Sequence, residues 1–256
     1  MTHSPIRTGI VPKVNYLVFD LDGTIVFDGK SILPEIKQEL NRIKNKYTII
    51  FASARPIRDM LPLLEDFTAN DIIGANGAMY RQKQEIFLLE TIRQTIVDRI
   101  SEIITAYDLD YILDYEWDYS SRIRNPQNAI LGKLDKARLA SNIPFKKEKV
   151  SKIILFGVTK KLAELLSQLE GVNGLYHEDV EEFVITAQGI DKSFALKKLI
   201  QDNPYIAFGN DYNDSRLLEE AALGVQIDSF LPLKETARKH HIKKTSFLIF
   251  SKAYRT

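Results

Sequence analysis

The sequence predicts an α/β fold, a doubly wound parallel sheet of the Rossmann-like kind interrupted by an inserted α+β unit. Two patterns carry that expectation. Short uncharged apolar runs alternate with amphipathic helical stretches, and each run ends in small or polar residues. Part-way along the chain this alternation breaks into short strand-like segments, and it resumes in the last quarter.

The first run, residues 16–19, shows no polar alternation, as in a parallel strand covered on both faces, and it stops at Asp20, Asp22, Gly23 and Thr24. Ligands of such sheets bind outside the carboxyl ends of the strands, so Asp20 and Asp22 are expected at the mouth of a crevice. Residues 34–46 put Ile36, Leu40 and Ile43 on one helical face. Residues 47–51 read as a second strand ending in Ser53, Arg55 and Pro56. A short helix over 58–65 and a third strand with its loop over 71–78 complete a βαβαβ order, which implies right-handed crossovers.

From about Tyr80 the pattern changes. Ile92, Ile96, Ile100, Ile103 and Ile104 mark a helix, and residues 111–115, 150–157 and 182–186 read as strands. Leu162, Leu165, Leu166 and Leu169 mark a further helix, while 118–128 and 146–149 read as loops. Residues 1–80 and 188–256 are therefore expected to form the core and 81–187 the insertion. The core pattern returns with a helix carrying Phe194, Leu196, Leu199 and Ile200, then a strand over 205–208 and the polar run 209–214. A helix with Leu217, Leu218, Ala221 and Ala222 and a strand over 223–227 follow.

Composition excludes several functions. Lys plus Arg number 35 against 34 for Asp plus Glu, so no overall field recommends nucleic acid or an anionic membrane. Without cysteine there is no disulfide, thiolate zinc site or cysteine nucleophile. No run approaches the roughly 20 apolar residues of a membrane span, and residues 1–13 lack a signal-peptide core. The expectation is a cytoplasmic protein, monomer or homodimer, acting on a small molecule.

Two acids as close as Asp20 and Asp22 repel unless a cation or a proton separates them, which suits Mg²⁺ plus one carboxylate acting as an acid. Singly, these residues are ordinary: Asp-Gly is turn chemistry, Ser53 a turn residue, Lys192 a helix lysine, Arg55 an ion-pair partner and Asn76 a loop cap. Trp117 reads as packing rather than a sugar platform. His177, His240 and His241 lack metal-ligand partners at useful spacing. Order and context decide: three polar clusters each follow a presumed parallel strand, and Lys192 opens a helix just before the last.

Together, Phe-Asp-Leu-Asp-Gly-Thr at 19–24, Phe-Ala-Ser-Ala-Arg-Pro at 51–56, Gly-Ile-Asp-Lys at 189–192 and Gly-Asn-Asp-Tyr-Asn-Asp at 209–214 resemble the four motifs of the haloacid dehalogenase superfamily of aspartate-nucleophile phosphatases. Asn76-Gly77-Ala78 and the long insertion resemble its Cof-type branch, subclass IIB, with an α/β cap. The resemblance implies a Mg²⁺-dependent phosphatase acting on a small phosphorylated metabolite, expected to be a sugar phosphate. It implies Asp20 as nucleophile, Asp22 as general acid and base, and Ser53, Lys192, Gly23 and Asn213 around the phosphoryl group. Mg²⁺ would lie between Asp20, the Asp22 carbonyl and the fourth motif. Most relatives begin that motif Gly-Asp; here Gly209 precedes Asn210, leaving Asn210, Asp211 and Asp214 as candidate ligands, with charge favouring Asp211. Arg55, Asn76, Arg122 and Arg124 are candidate substrate contacts. A phosphomutase, or a phosphometabolite-binding module without turnover, are the alternatives; the latter expects missing acids, and Asp20 and Asp22 are present.

Overall fold

The computed structural model describes residues 13–227 and 243–244. The chain runs β1 (Tyr16–Asp20), α1 (Pro34–Ile43), β2 (Thr48–Ala52), α2 (Ile57–Leu64), β3 (Asp71–Gly74), β4 (Met79–Gln82) and β5 (Glu85–Leu88). It continues as α3 (Gln94–Ala106), β6 (Asp110–Asp114), β7 (Tyr119–Arg122), β8 (Lys152–Phe156), α4 (Lys160–Leu166), β9 (Val172–His177) and β10 (Glu182–Ala187). It returns through α5 (Lys192–Ile200), β11 (Tyr205–Gly209), α6 (Ser215–Glu219), β12 (Leu223–Gln226) and β13 (Lys243–Lys244).

The larger sheet has the order β13-β12-β11-β1-β2-β3-β4-β5 and is parallel from β13 through β3. β1 lies between β2 and β11, where the strand order reverses, so the ends of these three strands open side by side on one crevice. The register places Asp20 opposite Ala52 and Phe19 opposite Phe208. Both faces of β1 are buried: Leu17 and Phe19 pack with α1 and α2 residues, and Val18 packs with Ala195 and Leu196 of α5. That two-sided burial is why the run carries no polar residue. Phe19 stacks on Phe208 with ring centroids 4.4 Å apart, and each such ring contributes roughly 1.5–3 kcal/mol by leaving water.

The inserted segment forms a second, five-stranded antiparallel sheet, β7-β6-β8-β10-β9. One face packs on α3 and α4 through Val97, Ile100, Leu162 and Leu166. On the other face lies a smaller cluster of Ile112, Ile154 and Phe156. Among the described residues no helix is long and apolar enough to cross a membrane.

The structure departs from the sequence reading at several points. β4 and β5 form a hairpin that extends the larger sheet, so a boundary after residue 80 would cut through β4. Its turn is built from Lys83 and Gln84 at φ 50° and 72°, without the Asn or Gly that usually marks such a turn. β7 occupies part of the expected 118–128 loop, and β9 was not anticipated; both are edge strands with polar or glycine-interrupted sequences. Leu165, placed on a buried stripe by spacing, is 49% exposed, because α4 ends after Leu166 and turns only one face inward. α6 stops at Glu219, leaving Ala221 and Ala222 outside it. His240, His241 and most of the C-terminal tail lie outside the described residues.

Candidate active site

Asp20, the last residue of β1, is 4% exposed. Its Oδ1 accepts from Lys192 Nζ at 2.6 Å and its Oδ2 from the Thr24 hydroxyl at 3.0 Å. Lys192 is the first residue of α5, whose N-cap Asp191 accepts from Phe194 N at 2.7 Å and so fixes where the lysine emerges. The ammonium also reaches Asp214 at 2.7 Å and the Asn213 side-chain oxygen at 3.4 Å. Asp214, fully buried, uses its other oxygen to accept the main-chain N–H groups of Asn210 and Asp211 at 3.1 Å each. One carboxylate thus ties the last loop to the lysine that faces the first.

Two buried carboxylates against one ammonium leave one net negative charge. Burial, then the charge of Asp214, push the Asp20 carboxyl up to about 7 against the opposing pull of Lys192 and Thr24. Burial alone would favour neutral Lys192, but Asp20 and Asp214 outweigh it and hold the ammonium above its ordinary range.

Beside this pair, three oxygens crowd together. The Asn210 side-chain oxygen lies 2.8 Å from the Asp22 main-chain oxygen and 3.1 Å from Asp20 Oδ2. Acceptors this close need a donor or a cation between them. Turning the amide over supplies the donor, since its NH₂ group then faces both oxygens. A small dication supplies the alternative: metal–oxygen bonds of about 2.0–2.1 Å put neighbouring ligands about 2.9–3.0 Å apart, close to the 2.8 and 3.1 Å found from the Asn210 oxygen. The donor set of carboxylate, carbonyl and amide oxygens is hard, so it fits a hard dication of the Mg²⁺ kind. Among the described residues no three His, Cys, Asp or Glu side chains gather as a metal site. Gly23 permits the approach: at φ 79°, a Cβ there would sit 2.2 Å from the Asn210 amide nitrogen.

The two leading candidates of the fourth motif are placed differently. Asp211 turns its carboxylate back to accept Tyr212 N at 2.6 Å, capping the turn that holds Asp214, and it is Asn210 that faces Asp20 and Asp22. Asp214 faces Lys192 rather than the oxygen cluster.

The Asp22 carboxylate projects outward and takes a two-pronged pair with Arg55, at 2.7 Å to Nε and 2.6 Å to Nη2; Arg55 also reaches the Gly29 carbonyl at 3.1 Å. Ser53 is buried, and its hydroxyl accepts from Arg55 N at 3.1 Å, which directs its proton elsewhere. Asn76, at φ 55°, donates its N–H to the Ser53 carbonyl, and its side-chain oxygen is buried without a partner. Gly77 follows at φ 96°, where a Cβ would meet the Asp191 carbonyl at 2.0 Å, so this loop packs directly against the start of α5. Arg122 and Arg124 do not join the site. They pair with Asp108 and Asp110 at the far end of β6, and Arg122 lies over the Tyr111 ring.

The model of the haloacid dehalogenase-like hydrolases matches residues 17–246. This chain belongs to that family. A curated Mycoplasma pneumoniae protein with a provisional phosphatase name is 22% identical to this hydrolase over 84% of the chain and 86% of its own length. A haloacid dehalogenase-like hydrolase from Bacteroides thetaiotaomicron superposes with a TM-score of 0.78 at 22% identity, covering 94% of this chain and 98% of that one. A structure described as a HAD subclass IIB sugar phosphatase superposes with a TM-score of 0.72 at 21% identity, over 94% and 97%. These likenesses establish the fold.

Sequence reasoning missed a buried charge network where the hydrolase's second sheet meets the larger one. Arg58 of α2, 2% exposed, pairs with Asp114 of β6 at 2.5 Å and donates to the Trp117 carbonyl at 3.0 Å. Lys152 of β8 pairs with Asp114 at 3.1 Å and donates to the Ala54 carbonyl at 2.9 Å. The available signal was Lys152 itself, a charge inside an apolar strand-like run, and Arg58 on the inward face of a short helix.

Proposed function

We propose that this hydrolase is a Mg²⁺-dependent phosphatase that cleaves small phosphomonoesters through an aspartyl phosphate on Asp20. The observation that carries the reading is the placement of the Asp20 carboxylate. It sits at the end of the central strand, held by Lys192 and Thr24, beside the Asp22 carbonyl and the Asn210 side-chain amide.

In the first transfer an Asp20 oxygen bonds to phosphorus as the phosphorus–ester oxygen bond breaks, and Asp22 gives a proton to the departing alcohol. In the second, Asp22 takes a proton from water as the water oxygen attacks phosphorus, and inorganic phosphate leaves with Asp20 restored. Arg55 orients Asp22 through its two-pronged contact. Lys192 and the Ser53 hydroxyl supply fixed positive charge and a donor where negative charge develops on the phosphoryl oxygens, with Gly23 and Asn213 framing that space. Asp20, the Asp22 carbonyl and Asn210 would hold Mg²⁺, which when bound offsets the charge that Asp20 and the phosphate would otherwise oppose to each other.

The test is phosphate release from a panel of phosphomonoesters, with Mg²⁺ and with chelator, by wild type and Asp20→Asn. Sugar phosphates, the substrate class named for the subclass IIB neighbour, form one arm. Release without a bisphosphate activator separates this reading from a phosphomutase. No Asp20-dependent release from any ester would end it.

A further inference from the structure

A cavity of about 170 Å³ opens between the two sheets, with Asp22 and Arg55 on its floor. Its roof is the inner face of the second sheet, where register partners form rows of contrasting character. Asp114, Lys152 and Thr186 make one row; Ile112, Ile154 and Val184 make the next. The charged row is already occupied. Asp114 is held by Arg58 and Lys152, and Lys152 also donates to Ala54. Asp59, a further acid on the cavity wall, accepts from Asp135 N at 2.8 Å. What faces the cavity with no polar demand of its own is the aliphatic row, enlarged by Ile130 and Leu134 from the segment that crosses it.

Between Ile130 and Leu134 stands Lys133, which makes no side-chain hydrogen bond or ion pair among the described residues. It leans over the catalytic edge: a Cβ built on Gly29 would lie 3.7 Å from its ammonium and 3.6 Å from Arg55 Nη2.

From this wall we infer that the leaving group is apolar over most of its surface and carries a second anionic group, such as a carboxylate, that pairs with Lys133. The inference rests on the phosphatase reading and narrows it away from the sugar phosphate expected from the sequence. A polyol against five aliphatic side chains loses water from hydroxyls that find few partners there, whereas methylene or ring surface gains by the same burial. The cation of Lys133, whose charge also acts on the Glu182 carboxylate of β10, supplies the specific polar contact.

Three esters of primary alcohols keep leaving-group chemistry matched: hexyl phosphate, 6-(phosphonooxy)hexanoate and glucose 6-phosphate, with 4-nitrophenyl phosphate as an activated control. Wild type is expected to show a kcat/KM for the hexanoate ester at least roughly tenfold above that for glucose 6-phosphate. Lys133→Ala, a change at an exposed position, is expected to raise KM for the hexanoate ester roughly tenfold and leave hexyl phosphate unchanged. Preference for glucose 6-phosphate, or equal effects of Lys133→Ala on all three esters, would overturn the inference. So would turnover of the nitrophenyl ester alone. If even that ester gives no Asp20-dependent phosphate, the phosphatase reading itself fails and takes the inference with it.

Discussion

Asp20 carries two conflicting demands. In the proposed mechanism the nucleophile must be ionised, yet burial and Asp214 push its carboxyl up to about 7, and Lys192 and Thr24 favour the charged form. Asp20→Asn removes the nucleophile and one of two repelling carboxylates, so turnover should vanish while the melting temperature holds or rises. Near wild-type phosphate release from that variant would sink the assignment. Lys192→Met acts in the opposite sense, stranding Asp20 and Asp214 in the interior. It should cost about 3–5 kcal/mol in urea unfolding, and a loss under about 1 kcal/mol would mean that the site is wetter than its burial implies. Asp20, Ser53 and Lys192 were legible in the sequence because each sits at a strand end or helix start that periodicity locates. The difference between Asn210 and Asp211 was not, because it depends on which way the backbone turns, and the Asp211 cap on Tyr212 is visible only in three dimensions. Accordingly, Asn210→Ala should abolish the Mg²⁺-induced rise in melting temperature, and Asp211→Asn should leave it largely intact; the reverse pattern would return the ligand role to Asp211.

At the scale of elements, the start of α5 is fixed by its contacts with α6. Arg216 bridges Asp191 and Glu220 at 2.9 Å each, and Glu220 also receives Lys197 at 2.8 Å and the Ser193 hydroxyl. Burial pushes the Glu220 carboxyl up, but the bonds from Lys197, Ser193 and Arg216 outweigh it and bring it down to about 2 from the ordinary 4.5. Because the folded value is the lower one, this group stabilises the fold fully above about pH 4.5, and the contribution fades as pH falls from there towards 2. Melting temperatures of wild type and Glu220→Gln should therefore differ by a constant amount above pH 5 and converge in acid. A gap that stays constant down to pH 2.5 would show that the contacts do not depend on the charge. Elements with two buried faces or a strong stripe, such as β1 and α1, could be read from sequence. The β4–β5 hairpin and the edge strands β7 and β9 could not, since half their residues meet water and the Lys83–Gln84 turn uses residues without a turn signature.

At the scale of the whole molecule, the two sheets have separate hydrophobic cores, and polar bonds join them at residues 54–59 of the larger sheet's layer and at Ile190, whose carbonyl accepts from Asn173 at 3.1 Å. The 54–59 stretch directly follows Ser53, so the contact that seats the second sheet also borders the proposed phosphoryl site. The central bond is Arg58 to Asp114, both at most 2% exposed; Lys152 and Arg58 hold the Asp114 carboxyl below its usual range despite burial that would raise it. Asp114→Asn keeps the shape but leaves Arg58 with Asp59 at 3.5 Å and Lys152 with only the Ala54 carbonyl. The cost should be about 3–5 kcal/mol, and it should fall on the union of the two units rather than on either core. Trp117, the single tryptophan, reports on this junction because its carbonyl accepts from Arg58 and its indole N–H donates to Leu139 at 2.7 Å. In wild type, the thermal transitions followed by tryptophan fluorescence and by far-ultraviolet circular dichroism should coincide. In Asp114→Asn the fluorescence transition should move to lower temperature and separate from the second. Coincident transitions in the variant, at an unchanged midpoint, would mean that apolar contact between the sheets, and not this buried pair, holds the molecule closed.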